Sequence, residues 1–166
     1  MALRKFKGSP VEIVGELPAV GTKAPEFSLT KNDLSEIRLS ELAGKRVVLN
    51  IFHSLDTSTC AASVRRFNEE AGKLKDTVVL CASMDLPFAQ ARFCGAEGLE
   101  NVVTVSDFRT RSFGDQYGLR VKTGPLAGLL ARTVIVIDKE GNVAYTQPVP
   151  EVSEEPDYTD VLAALK

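Results

Sequence analysis

Four short, almost uninterrupted apolar runs constrain this chain more than any other feature: "KRVVLNIF" (45–52), "TVVLCAS" (77–83), "NVVTVS" (101–106) and "RTVIVID" (132–138). Each has the length of a β-strand. A strand that is apolar at nearly every position must be covered on both faces, because one that faced water would alternate with polar residues. Helical patterns separate several of the runs. One follows Cys60, one spans about 87–94 and stops at Gly95, one spans about 109–117 and stops at Gly118, and the last is "DYTDVLAALK" (157–166). "NVAYTQ" follows the fourth run across the turn "KEG", as the second arm of a hairpin. Earlier, a short strand is expected around 27–30, and "SEIRLSELAG" reads as a strand and one helical turn stopped by Gly44. This order predicts an α/β protein whose central mixed sheet is flanked by helices.

The N-terminal stretch adds two short candidate strands, "LRKFK" and "VEIVG", joined by "GSP", which reads as a β-hairpin. A length of 166 residues suits one domain, 1–166, with one core. Alternating strands and helices, a late hairpin and a cysteine after the first central strand follow the order of the thioredoxin fold. The net charge of −2, without a long run of one sign, gives no reason to expect nucleic acid or an anionic membrane as partner. No apolar run approaches the roughly 18 residues of a membrane span. "MALRKFKGSP" is basic but is followed by no apolar stretch of the kind that makes a secretory signal, so the expected compartment is the cytoplasm. The three cysteines, at 60, 81 and 94, are an odd number, and outside the export route they are not expected to form a structural disulfide framework. They form no C-x-x-C pair, and His53 is the one histidine, so the ligands for a zinc site are lacking. Neither a metal nor another cofactor is expected.

Cys60 draws attention because of where the pattern places it. Val64, Phe67, Ala71 and Leu74 are spaced by three and four, as one buried stripe of a helix, and Cys60 begins that stripe. Arg65, Arg66, Glu69 and Glu70 occupy the other side. With Ser58 or Thr59 as the expected N-cap, Cys60 falls in the first turn, among unpaired backbone N–H groups. Those groups favour an anion, and the reactive form of cysteine is the thiolate. A helix N-terminus supplies roughly 0.3–1 kcal/mol to an anion, about 2 when partly buried. One pKa unit corresponds to about 1.36 kcal/mol, so the helix alone lowers a thiol by roughly one unit. Ionisation at neutral pH needs another cation or further hydrogen bonds. Arg132, at the mouth of the fourth apolar run, is the candidate cation, and Thr57 is a candidate hydroxyl partner. The competing reading of Cys60 is a small apolar residue that opens a buried stripe. Cys81, inside its strand, reads as core. Cys94, at a helix end before Gly95, reads either as inert or as a second thiol that arrives later when the end frays. "CAAS" in place of C-x-x-C removes rapid vicinal dithiol exchange.

"NIF-SLDTSTCAASVRRFNEEA", "VVLCASMDLPFAQARFCGAEGLENV" and "ARTVIVIDKEGNV" resemble the bacterial thiol peroxidase branch of the peroxiredoxins, an atypical 2-Cys family. "EPDYTDVLAALK" and the N-terminal "F-GSPV" also fit, so the resemblance covers nearly the whole chain, and "DLPFAQARFCGAEG" is particular to that branch. The resemblance implies a thioredoxin-like fold with an added N-terminal β-hairpin and a peroxide-reducing cysteine at Cys60. It further implies Thr57 and Arg132 as its partners, Cys94 as the resolving cysteine of an intramolecular Cys60–Cys94 disulfide, thioredoxin as reductant, and a homodimer. Organic hydroperoxides and hydrogen peroxide are the implied substrates. The chain departs from the family at one place: the motif P-x-x-x-T-x-x-C has His53 where the proline stands. His53 is either an exposed loop residue without a role or a group that approaches Cys60 and steadies its thiolate. Two other functions remain open to the residues: a monothiol oxidoreductase that uses "CAAS" with glutathione, and a redox sensor that responds to peroxide by binding partners.

Overall fold

The computed structural model describes residues 4–166, so Leu3 of the expected first strand lies outside the described residues. β1 (Arg4–Phe6) and β2 (Ser9–Val11) form a two-stranded antiparallel hairpin with Phe6 opposite Ser9. The turn is Lys7–Gly8, both at positive φ (50° and 83°), the geometry that a two-residue hairpin loop requires. The second strand therefore falls on "SPV" rather than on the expected "VEIVG". Pro10 is tolerated because the ribbon is all edge.

The main sheet has seven strands: β3 (Ser28–Lys31), β4 (Glu36–Arg38), β5 (Arg46–Ile51), β6 (Thr77–Ser83), β7 (Val103–Ser106), β8 (Thr133–Ile137) and β9 (Val143–Pro148). Their order is β4-β3-β7-β6-β5-β8-β9. β5, β6 and β7 run parallel to one another, and the remaining pairings are antiparallel. Helices make the parallel connections: α1 (Ser58–Ala71) joins β5 to β6, and α2 (Pro87–Glu97) joins β6 to β7. α3 (Ser112–Gln116) precedes β8, and α4 (Tyr158–Ala164) follows β9.

Period-two alternation sorts the apolar runs between two cores. Val47, Leu49, Ile51, Ile135 and Ile137 pack with Phe27, Leu29, Phe113 and Tyr117 on the α3 face. Val48, Phe52, Val134 and Val136 pack with Cys60, Val64, Phe67, Phe93 and Val161 on the face of α1, α2 and α4. The two-sided burial read from the sequence is thus present, most completely in β8, where all five residues are buried.

Three further boundaries differ from expectation. The N-cap of α1 is Thr57, one residue ahead of the expected Ser58 or Thr59, because its hydroxyl accepts from Cys60 N (3.4 Å) and donates to Ser54 O (3.1 Å). α2 continues through Cys94 and Gly95 to Glu97, and Gly98, at φ 66°, is the left-handed cap. α3 covers only Ser112–Gln116. Asp107 occupies its approach and accepts hydrogen bonds from Phe113 N and Gly114 N.

Candidate active site

The site forms where the end of β5, the first turn of α1 and the start of β8 converge. β5 delivers His53 just past its last paired residue, and Thr57 closes the intervening loop. Asp85 pins that loop by accepting from Leu55 N (2.8 Å), Ser54 Oγ (2.9 Å) and Ser83 Oγ (2.7 Å). Cys60 is the third residue of α1, on its inward side, and is fully buried.

Three groups surround the sulfur. Arg132 Nη2 donates to Cys60 Sγ at 3.0 Å, and Arg132 Nε donates to Val152 O at 2.9 Å. Arg132 Nη1 is buried with no hydrogen-bond partner. His53 lies on another side, with Nε2 at 3.6 Å and Nδ1 at 3.7 Å from Sγ. Its 5% exposure rules out the reading of an exposed loop histidine. The loop does not lead His53 out to solvent, because Phe6 of the hairpin meets the imidazole edge-to-face at 6.4 Å. Thr57, the N-cap, is the third group.

Burial pushes the Cys60 thiol up. The His53 contact, the Arg132 charge, the Thr57 hydroxyl and the His53 charge act against it and together bring it down to about 7. The other thiols go the opposite way. Burial raises Cys81 to about 12 against a weak contact from Asn50, and burial raises Cys94 against a contact to Thr104 Oγ1. Cys81, fully buried in the strand, is core as expected.

The structure brings Cys60, Thr57 and Arg132 together, and Cys94 is apart from them. Its Sγ lies against Thr104 Oγ1 at 3.7 Å in the last turn of α2, and all three cysteines are free thiols. Only Pro87, Gln90 and Phe93 of α2 are buried. Surface ion pairs tie the helix down: Arg65 to Glu97 (2.7 Å) and Arg92 to Asp56 (3.4 Å). Arg65 and Arg66 stay on the solvent side of α1 and touch Glu97 and Glu70, not the sulfur.

Arg4 is a site residue that sequence reasoning missed. It is buried and donates to Arg132 O (2.6 Å), Thr133 Oγ1 (2.7 Å) and Val149 O (3.4 Å), which clamps the backbone that carries Arg132. Burial lowers its guanidinium to about 10, and among the described residues it makes no ion pair. The strap is completed by Lys5, which exchanges backbone hydrogen bonds with Pro150 and Val152, and by Glu151, which accepts from Lys7 N and Gly8 N.

Comparison with known proteins places this geometry in a family. Residues 19–162 match the Redoxin family model. A thiol peroxidase of Mycobacterium bovis is 56% identical over 165 residues, 99% of either chain. The crystal structure of a peroxiredoxin-like protein from Aquifex aeolicus is 41% identical, with a TM-score of 0.95 over 99% of this chain and 96% of that one. A thiol peroxidase from Chromobacterium violaceum shares the fold at 19% identity, with a TM-score of 0.90 over 99% of this chain and 96% of that one. The chain belongs to the Redoxin family, with the thioredoxin-like fold and N-terminal hairpin expected from its sequence. Its full-length similarity is to thiol peroxidases of the peroxiredoxin type. No helix of the described residues is long and apolar enough to cross a membrane.

Proposed function

We propose that this chain is a thiol-dependent peroxidase of the peroxiredoxin type in which Cys60 attacks the peroxide. One observation carries the assignment: a buried guanidinium contacts the buried sulfur at 3.0 Å and keeps a second donor, Nη1, without a partner. A buried donor left unpaired costs stability, and a peroxide oxygen beside the sulfur would satisfy it. The thiolate attacks the terminal peroxide oxygen, the O–O bond breaks, and its electron pair leaves with the distal oxygen. Arg132 and the first-turn N–H groups stabilise the charge as it moves to that oxygen. Cys60 becomes a sulfenic acid. Cys94 then condenses with it to an intramolecular disulfide, water leaves, and thioredoxin returns both thiols. For Cys94 to reach Cys60, the end of α2 must unwind. Few of its residues are buried and the ion pairs that hold it are exposed and weak, so that local opening costs little.

The 166 residues act in this reading as one domain, as a homodimer in the cytoplasm, on both organic hydroperoxides and hydrogen peroxide. A coupled assay with thioredoxin, its reductase and NADPH tests it, with hydrogen peroxide and an alkyl hydroperoxide compared. Turnover in the wild type and none in Cys60→Ser is the expected result, since a hydroxyl does not ionise at this pH. Oxidation without turnover would favour a peroxide sensor, and turnover that survives Cys94→Ser with glutathione would favour a monothiol enzyme.

A further inference from the structure

We propose, resting on the peroxidase reading above, that His53 is a catalytic residue. Its imidazolium holds the Cys60 thiolate and gives its proton to the oxygen that leaves the peroxide. The two ring nitrogens stand almost equally far from Sγ, at 3.6 and 3.7 Å, so the sulfur lies over the ring and neither ring N–H is aimed at it in line. Among the described residues these are the ring's only hydrogen-bonding contacts. The ring is held by the end of β5 behind it, by Phe6 at its edge, and by the loop that Asp85 fixes. Arg132 and Cys60 are wholly buried, whereas His53 keeps 5% exposure and Thr57 is half-buried.

The charged groups around the ring favour a donor over a static counter-ion. From β8 comes Arg132, already on the sulfur, and from β1 comes Arg4, behind it on the Arg132 carbonyl. Beyond Phe6 lies Lys7, whose Nζ is 5.3 Å from that ring. The nearby carboxylates are engaged elsewhere: Asp85 with the loop, Asp56 with Arg92, and Glu151 with Lys7 N and Gly8 N. The sulfur is thus the anion that the imidazolium faces. Attack spends the sulfur's charge, which leaves an imidazolium beside a guanidinium just as an alkoxide or hydroxide forms. The proton then moves downhill. The step balances as thiolate, hydroperoxide and imidazolium giving sulfenic acid, alcohol and imidazole. The O–O bond breaks, the S–O bond forms, sulfur is oxidised by two electrons and the peroxide is reduced by two. Proline, the family's residue here, has no proton to give.

The test is the rate of Cys60 oxidation in single-turnover mixing, against pH, for wild type, His53→Gln and His53→Pro, with tert-butyl hydroperoxide and with peracetic acid. The leaving alkoxide of the first needs a proton, and the leaving acetate of the second does not. With either oxidant the wild-type rate should fall in acid as the Cys60 thiolate is lost. Both variants should slow by roughly 100-fold with the alkyl hydroperoxide, the lower end of general-acid effects. With peracetic acid they should slow only in proportion to the thiolate lost. Equal losses for both oxidants, or pH profiles that superimpose on the wild type, would overturn the proposal and leave the peroxidase reading standing. A wild type inert to every peroxide would overturn both.

Discussion

Arg132→Met tests whether the guanidinium sets the state of the Cys60 sulfur or merely caps its strand. The substitution keeps most of the side-chain volume, and Arg4 remains bound because it holds the Arg132 carbonyl, not its side chain. What is lost is one charged donor at 3.0 Å from a buried sulfur. A hydrogen bond to a charged group contributes about 1.5–3 kcal/mol, and 1.36 kcal/mol is one pKa unit, so the thiol should rise by roughly one to two units. From about 7 in the wild type, that lowers the thiolate fraction at neutral pH from about half to roughly a tenth or less. The sign follows from the charged form being the anion: removing a cation favours the neutral thiol. Ultraviolet titration of the thiolate reads this directly. Stopped-flow oxidation at a pH above both pKa values removes the ionisation effect, and any deficit left there measures lost stabilisation of the leaving oxygen, which should be on the order of 100-fold. Arg132→Lys, which keeps the charge but not the fork, should recover the titration better than the rate. An unchanged titration together with an unchanged rate would show that Arg132 serves only Val152 O.

One equivalent of peroxide should link Cys60 to Cys94 within one chain and leave Cys81 free, as read by non-reducing peptide mapping. A main product joining Cys60 to Cys81, or two chains, would refute the assignment of the resolver. Arg65→Ala removes the two-pronged pair with Glu97 and should speed disulfide formation without changing the oxidation step, since Arg65 does not touch the sulfur. Unaltered resolution kinetics would mean that α2 opens elsewhere. Thr57→Val removes the N-cap of α1 and should cost about 1 kcal/mol in a denaturant melt. It should also raise the Cys60 pKa, because the hydroxyl favours the thiolate. A melt that moves while the titration stays would confine Thr57 to structure.

The sheet was legible because each core strand announces its two-sided burial within its own few residues, as "VVLNI" and "TVIVI" do. Cys60 was legible for the same reason: its stripe through Val64 and Phe67 is local, and both residues are buried with it. What escaped depends on contacts far apart in sequence or on choices among near-equals. Three hydroxyl residues, Thr57, Ser58 and Thr59, compete for one cap, and the position of Ser54 O decides for the first. Gly95 and Gly98 compete to end α2. Gly95 sits on its exposed side and continues the helix, so the left-handed cap falls to Gly98. Arg4 gave no signal, because a basic residue in a three-residue strand reads as solvated. Its burial arises only when β1 meets the segment around residue 150, more than 140 positions away. The two readings of His53 stay open in the sequence for a similar reason, since the residue that covers it, Phe6, belongs to the same distant hairpin.

Three thiols share this fold, and their environments explain why the proposed chemistry falls to one of them. Exposure does not choose: Cys94 is the most accessible of the three, yet burial leaves it raised. Burial does not choose either, because it pushes up all three. The difference is the company each sulfur keeps. Cys81 faces a neutral amide, Cys94 a neutral hydroxyl, and Cys60 a guanidinium and an imidazole, in the first turn of a helix that the Thr57 hydroxyl caps. The helix alone would lower a thiol by roughly one unit, which does not offset burial on this scale. The neighbours from β8 and the β5 loop supply the remainder. A serine at position 60 would gain nothing from them at neutral pH, since its hydroxyl stays protonated there. The same inequality orders the proposed cycle. Cys60 is ionised first and meets the peroxide. Cys94, a neutral thiol at a lightly held helix end, then has no competing claim on the oxidant and is free to react with the sulfenic acid once α2 opens.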